Sequence, residues 1–227
     1  MNNPTISTVP VDAPPQTGQY SPAGRVTRSL LGWGVVAGPF YVGVSLIEAT
    51  LRPGFDLSRH SWSLMENGPF GWIHSGVLVL SGLMVIAAAT GIGRALRLRA
   101  VPVLLSIFGA GQVGAGFFIA DPADGFPPGT PAGPGAFSWH GLVHLASGGI
   151  GFIAFTVATV ILGVRFIGRG HGGWGVFSIA TGVLFLAAFM GIASGGTGPT
   201  VIAFIAAVLL AWTWLALTCL DLYRRVT

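Results

Sequence analysis

Apolar residues run in long stretches at about 30–51, 70–93, 101–120, 138–164, 174–193 and 201–220. Each holds close to the ~20 residues that a helix needs to cross a hydrocarbon core ~30 Å thick. Transmembrane strands would be far shorter and would alternate polar with apolar positions. The pattern predicts an all-α, polytopic membrane protein, a bundle of six transmembrane helices.

Ahead of the first stretch, residues 1–24 are rich in Pro, Thr, Ser and Gln, and Asp12 is their only charge. They lack the apolar content that offsets the entropy of ordering, so a disordered N-terminal tail is expected, followed by a transmembrane domain over 25–227. The first stretch is too long for a signal-peptide core and stays as a span.

Composition agrees: 52% of residues are hydrophobic, 8% are charged, and mean hydropathy is +0.75. These values lie outside the globular range. The sequence pI near 10.2 would suit nucleic acid. All 11 basic residues are arginines at segment ends, however, with no basic stripe, so no nucleic-acid partner is expected. With no lysine, a glycine-rich phosphate loop with its Lys is excluded.

Nine of the eleven arginines flank spans so that one orientation places them all in the cytoplasm, with both termini. A multi-pass plasma-membrane protein is expected, with the lipid bilayer as its main partner. Cys219 is the only cysteine, which excludes an intrachain disulfide and suits core packing. Gly34-x-x-x-Gly38 and the cluster Gly109, Gly111, Gly114, Gly116 would let helices approach closely. Trp33, Trp72, Trp139, Trp174, Trp212 and Trp214 sit near span ends, as interfacial anchors do.

Candidate chemistry gathers at the opposite, outer end, which holds four of five histidines and five of seven acids. The first outer connection contains Arg52, Asp56, Arg59, His60, Ser63, Glu66, Trp72 and His74. It is too polar to cross lipid and too aromatic for a plain linker, so it should fold back over the helix ends. The second runs from Asp121 and Asp124 into Trp139, His140 and His144.

His140 and His144, at i and i+4, share a helical face and could ligate one divalent metal such as zinc, with Asp121 or His74 as the third ligand. The same histidines could equally hydrogen-bond to Asp121, Asp124, Ser63 or Thr130 and knit the helix ends together. Glu48, one turn inside the first span, must face the bundle, a water pocket or a partner. It could be a general acid/base, a proton-coupling group or an ion-pair partner of Arg52 or Arg59. Ser63, three residues after His60, could be a nucleophile or a loop hydroxyl. Asp56, Arg59, His60, Trp72 and Trp139 are candidate substrate or lid residues. Gln112, mid-span, is expected to hydrogen-bond across helices.

The run Arg52-Pro-Gly-Phe-Asp56-x-x-Arg59-His60-x-x-Ser63-x-x-x-x-Gly68-Pro-x-Gly71-Trp72, with Asp121-Pro and His140-Gly-x-x-His144, resembles a bacterial and archaeal membrane family catalogued as domain of unknown function 998. The likeness covers residues 30–220 and implies a compact six-helix membrane fold, with no established activity to carry over. A looser likeness is to membrane hydrolases that include alkaline ceramidases and progestin/adipoQ-type receptors. Their zinc sites use a Ser, an Asp and three His; Ser63, His74, Asp121, His140 and His144 supply those residue types here, in another order and on six spans.

Two functions are expected on these grounds. One is a metal-dependent hydrolase with an outward-facing pocket for a lipid-like or small amphipathic substrate, in which Glu48 or Asp124 accepts a proton from a metal-activated water. The other is a non-catalytic binding, transport or assembly protein whose outer His, Asp and Arg residues form a lid. Topology is open to direct measurement: reporters fused ahead of residue 25 and after residue 227 should both read out in the cytoplasm, and opposite locations would mean an odd number of crossings.

Overall fold

The computed structural model describes residues 21–195 and 198–226. They form six helices: α1 Pro22–Leu51, α2 Gly71–Leu96, α3 Ala100–Phe117, α4 Trp139–Gly168, α5 Gly172–Ala193 and α6 Gly198–Arg225. Each is long and apolar enough to cross a membrane, and no strand occurs among the described residues.

The expected tail over 1–24 falls largely outside the described residues. Pro22 to Gly24, which lie inside them, already belong to α1, because the Ser21 hydroxyl caps the Gly24 N–H and Pro22 sits where a helix needs no donor. At the other extreme α3 stops at Phe117, short of the expected 120. Residues 118–120 run on without helical structure, and their carbonyls take side chains from other elements.

Each helix packs chiefly against its neighbours in sequence, and α6 returns to α1, so the six close into a ring. Both ends of the described chain lie at the same end of this ring, where Arg28 Nη1 donates to the Tyr223 and Val226 carbonyls at 3.1 and 3.3 Å. Its guanidinium also lies 4.0 Å from the Tyr223 ring centroid, a cation–π contact. The 52–70 and 118–138 connections close the opposite, capped end.

Two expectations about side chains divide here. Cys219 is buried against Gly34, as core packing requires. Trp212 and Trp214, expected at the interface, instead point inward. The indole of Trp214 donates to Ser178 Oγ at 2.9 Å, which satisfies its one polar atom. It packs edge-on to Phe155 at 5.4 Å between centroids, and Phe155 in turn meets Phe108 at 4.9 Å. The ring's outer surface carries exposed Val, Leu and Ile, such as Ile47, Ile150 and Val164, a surface suited to lipid rather than water.

The α2–α3 contact depends on backbones meeting directly. A Cβ on Gly82 would stand 2.5 Å from the Gly109 carbonyl oxygen, so neither position tolerates a side chain without separating the helices. Gly82→Ile is expected to cost about 1–3 kcal/mol through overpacking, read as a lowered Tm in detergent. Leu83→Ile, on the exposed face of the same turn, should leave Tm unchanged.

Candidate functional site

The capped end is organised by one buried cation. Arg52, at the end of α1, donates through Nη2 to the Met65 carbonyl at 2.5 Å and to the Asn67 carbonyl. Its Nη1 lies 3.9 Å from Glu48 Oε1, one turn earlier on α1. Glu48 Oε2 accepts from His74 Nδ1 at 3.1 Å, which draws α2 into the same cluster. Glu48, Arg52 and His74 are all buried, and His74 Nε2 has no partner among the described residues.

This anchoring folds the first connection inward, as its aromatic content predicts. Residues Trp62–Glu66 form a 3-10 turn whose Trp62, Leu64, Met65 and Glu66 are buried. Gly71 comes next where an added Cβ would strike the Glu66 backbone, so glycine is needed for α2 to start that close. Glu66 thereby reaches across the bundle: Oε2 accepts from the Ala120 amide at 3.1 Å and lies 3.1 Å from His144 Nδ1.

The two connections are sewn together by His60. The Asp56 amide donates to His60 Nδ1 at 2.9 Å, which leaves Nε2 as the protonated nitrogen, donating to the Asp124 carbonyl at 3.0 Å. His60 is therefore a neutral, doubly committed imidazole. Phe126 packs against both His60 and Phe55, with ring centroids 5.6 and 5.2 Å away, and those two rings meet at 5.3 Å. Asp56 is exposed, and its carboxylate accepts from the Ser58 amide and hydroxyl at 2.8 and 2.7 Å. Those bonds, then Arg59 at 3.2 Å, hold the Asp56 pKa below the usual carboxylate value. Because the folded state favours the ionised form, this contribution is complete above the usual carboxylate range and is lost as pH falls through the depressed value.

His140 and His144 share the face of α4 turned toward the end of α3, as their spacing requires, yet their nitrogens do not meet at one point. His140 Nδ1 donates to the Ile119 carbonyl at 2.9 Å and stands 3.9 Å from Asp121 Oδ1. His144 Nδ1 faces only acceptors, Glu66 Oε2 and the Ala115 and Phe118 carbonyls at 3.0 and 2.9 Å, so it carries the proton. Asp121 is occupied by the Ser138 amide and hydroxyl at 2.8 and 2.6 Å, beside the start of α4. With His74 bound to Glu48, each histidine of the expected zinc set has a different partner. Among the described residues no three His, Cys, Asp or Glu side chains stand together as a metal site.

Inside the ring, below both connections, lies a cavity of about 560 Å³. Ser61, Ser63, Arg59, Asp121 and Asp124 line it at the capped end, and Phe152, Phe185, Phe204, Val208 and Trp212 line it among the helices. Of the other expected residues, Trp72 and Trp139 are 72% and 70% exposed and lie outside its lining. Three residues of the site carried no strong signal in the sequence. Glu66 was a lone acid in an apolar turn, Tyr41 an unremarked aromatic of α1, and Gln112, expected to bond across helices, makes no hydrogen bond among the described residues.

A closed ring of six membrane-spanning helices, capped at one end by its own connections, defines a multi-pass all-helical membrane protein. Residues 35–221 match the family model described as "Protein of unknown function (DUF998)", and the chain belongs to that family. No curated protein and no solved structure matches it.

Removing one partner of a buried ion pair leaves the other charge stranded, at a cost of about 3–5 kcal/mol. Arg52→Met should therefore lower Tm in detergent far more than Arg59→Met, whose ion pair with Asp56 is exposed to solvent. Near-equal effects would show that Arg52 does not anchor the cap.

Proposed function

We propose that this protein binds one lipid-like amphipathic molecule within its helical ring, in the plasma membrane, with the capped end outward as the arginine distribution suggests. The supporting observation is the cavity. Its volume lies in the ~300–1,000 Å³ range of small-molecule sites, its wall is largely aromatic and aliphatic, and its polar residues gather toward one end. A molecule with one polar and one apolar end matches that gradient.

A hydrolytic reading has one observation in its favour, the pairing of His144, which lines the cavity, with Glu66 behind it. A carboxylate behind Nδ1–H is the arrangement that orients an imidazole as a general base. The binding reading is preferred because no nucleophile is seen hydrogen-bonded to that imidazole, whereas the cavity by itself supports binding.

Gly148 offers a direct test. It lines the cavity, and a Cβ there would make only ordinary contact, 3.8 Å from Phe152, so a larger side chain fills space rather than displacing a helix. Purified protein in detergent should bind a pyrene-labelled long-chain alcohol saturably. Gly148→Leu should weaken that binding at least tenfold, and Ile150→Leu, on the exposed face of α4, should not. Unsaturable partitioning, or binding that ignores Gly148→Leu, would overturn the proposal.

A further inference from the structure

Resting on that reading, a set of unpartnered polar atoms on the cavity wall identifies the head group. Tyr41 of α1 and Gln112 of α3 line the cavity and are 7% and 8% exposed. Neither the Tyr41 hydroxyl nor the Gln112 amide makes a hydrogen bond among the described residues, and Gln112 Oε1 is buried without a partner. His144, one turn from Gln112 by way of its bond to the Ala115 carbonyl, also lines the cavity. All its hydrogen bonds use Nδ1, so Nε2 is uncommitted. The Trp62 indole N–H, on the same wall, is likewise buried and unpartnered.

Buried polar groups are almost always satisfied, and an amide left bare in an apolar interior is costly. Three separate helices and the 3-10 turn thus bring unmet hydrogen-bonding groups to one cavity. The groups are of both kinds: Trp62 and the Gln112 amide nitrogen can only donate, Gln112 Oε1 can only accept, and Tyr41 does either. A carboxylate head accepts but cannot donate, which would leave Gln112 Oε1 unmet. An ammonium head donates but cannot accept, which would leave Trp62 and the amide nitrogen unmet. A hydroxyl does both and carries no charge.

We infer that the cavity selects an uncharged, hydroxyl-bearing amphiphile, a long-chain alcohol or glycerol-type head, held by Tyr41, Gln112, His144 and Trp62. The decisive residue is Gln112, because it lines the cavity and its amide makes no hydrogen bond among the described residues.

Competition against the pyrene-labelled alcohol tests this with unlabelled chains of one length that end in hydroxyl, methyl ether, carboxylate or ammonium. The alcohol should displace the probe at least about tenfold more tightly than the other three. Gln112→Leu should abolish that advantage, weakening the alcohol more than the ether, and Tyr41→Phe should reduce it. Gln112→Leu should also hold or raise Tm without ligand, since it removes an unpaired buried amide, so lost binding cannot be ascribed to misfolding. Equal binding of all four heads, as expected if ordered water satisfies the wall, overturns the head-group inference, as does a preference for carboxylate or ammonium. If all four bind and Gly148→Leu blocks them all, the amphiphile reading survives that failure; if Gly148→Leu affects none, the amphiphile reading itself falls.

Discussion

A charged group inside a membrane protein must be matched where it stands, because the surrounding hydrocarbon offers no hydrogen bonds. In this protein that requirement falls on Arg52. Its guanidinium serves the Glu48 carboxylate on one side and the Met65 and Asn67 carbonyls on the other, and so a connection that would otherwise lie in water is drawn across the end of the ring. The positions of Trp62 and Glu66 depend on that placement. Trp62 comes to the cavity wall, and Glu66 comes within reach of Ala120 and His144. Glu48 and Glu66 thus have similar structural roles: each is a buried carboxylate that meets a histidine on another helix.

The ring architecture explains why a cavity exists at all. Helices that pack in sequence order around a closed circuit make few contacts across it, so the centre has to be filled by long side chains. Aromatic rings do this through the part occupied by Phe108, Phe155, Phe185 and Trp214. Toward the capped end the small residues Gly148 and Ala115 line the cavity instead.

The spans were legible in the sequence because crossing a bilayer is a one-dimensional demand, met by length and apolar content within each segment. The inward fold of the first connection was legible too, from aromatic and charged residues mixed in one short run. The site was less so. The spacing of His140 and His144 set their common face, but which acceptor each nitrogen takes depends on α3 ending at Phe117, something no local pattern announced. Glu66 meets Ala120 across 54 residues of sequence, and the inward turn of Trp212 and Trp214 reflects where α6 sits in the ring rather than how close they lie to a span end. A single acid within the mostly apolar Trp62–Glu66 segment was the one available clue, since such an acid must find a partner if the segment is buried.

His60 ties the first connection to the second: Nδ1 accepts from the Asp56 amide within its own connection, Nε2 donates to the Asp124 carbonyl of the other, and Phe126 is wedged beside it. The two connections are therefore one joined unit, not a pair of independent flaps. Parting the two would cost the imidazole its bond to the Asp124 carbonyl, so a displacement of one connection is passed on to the other.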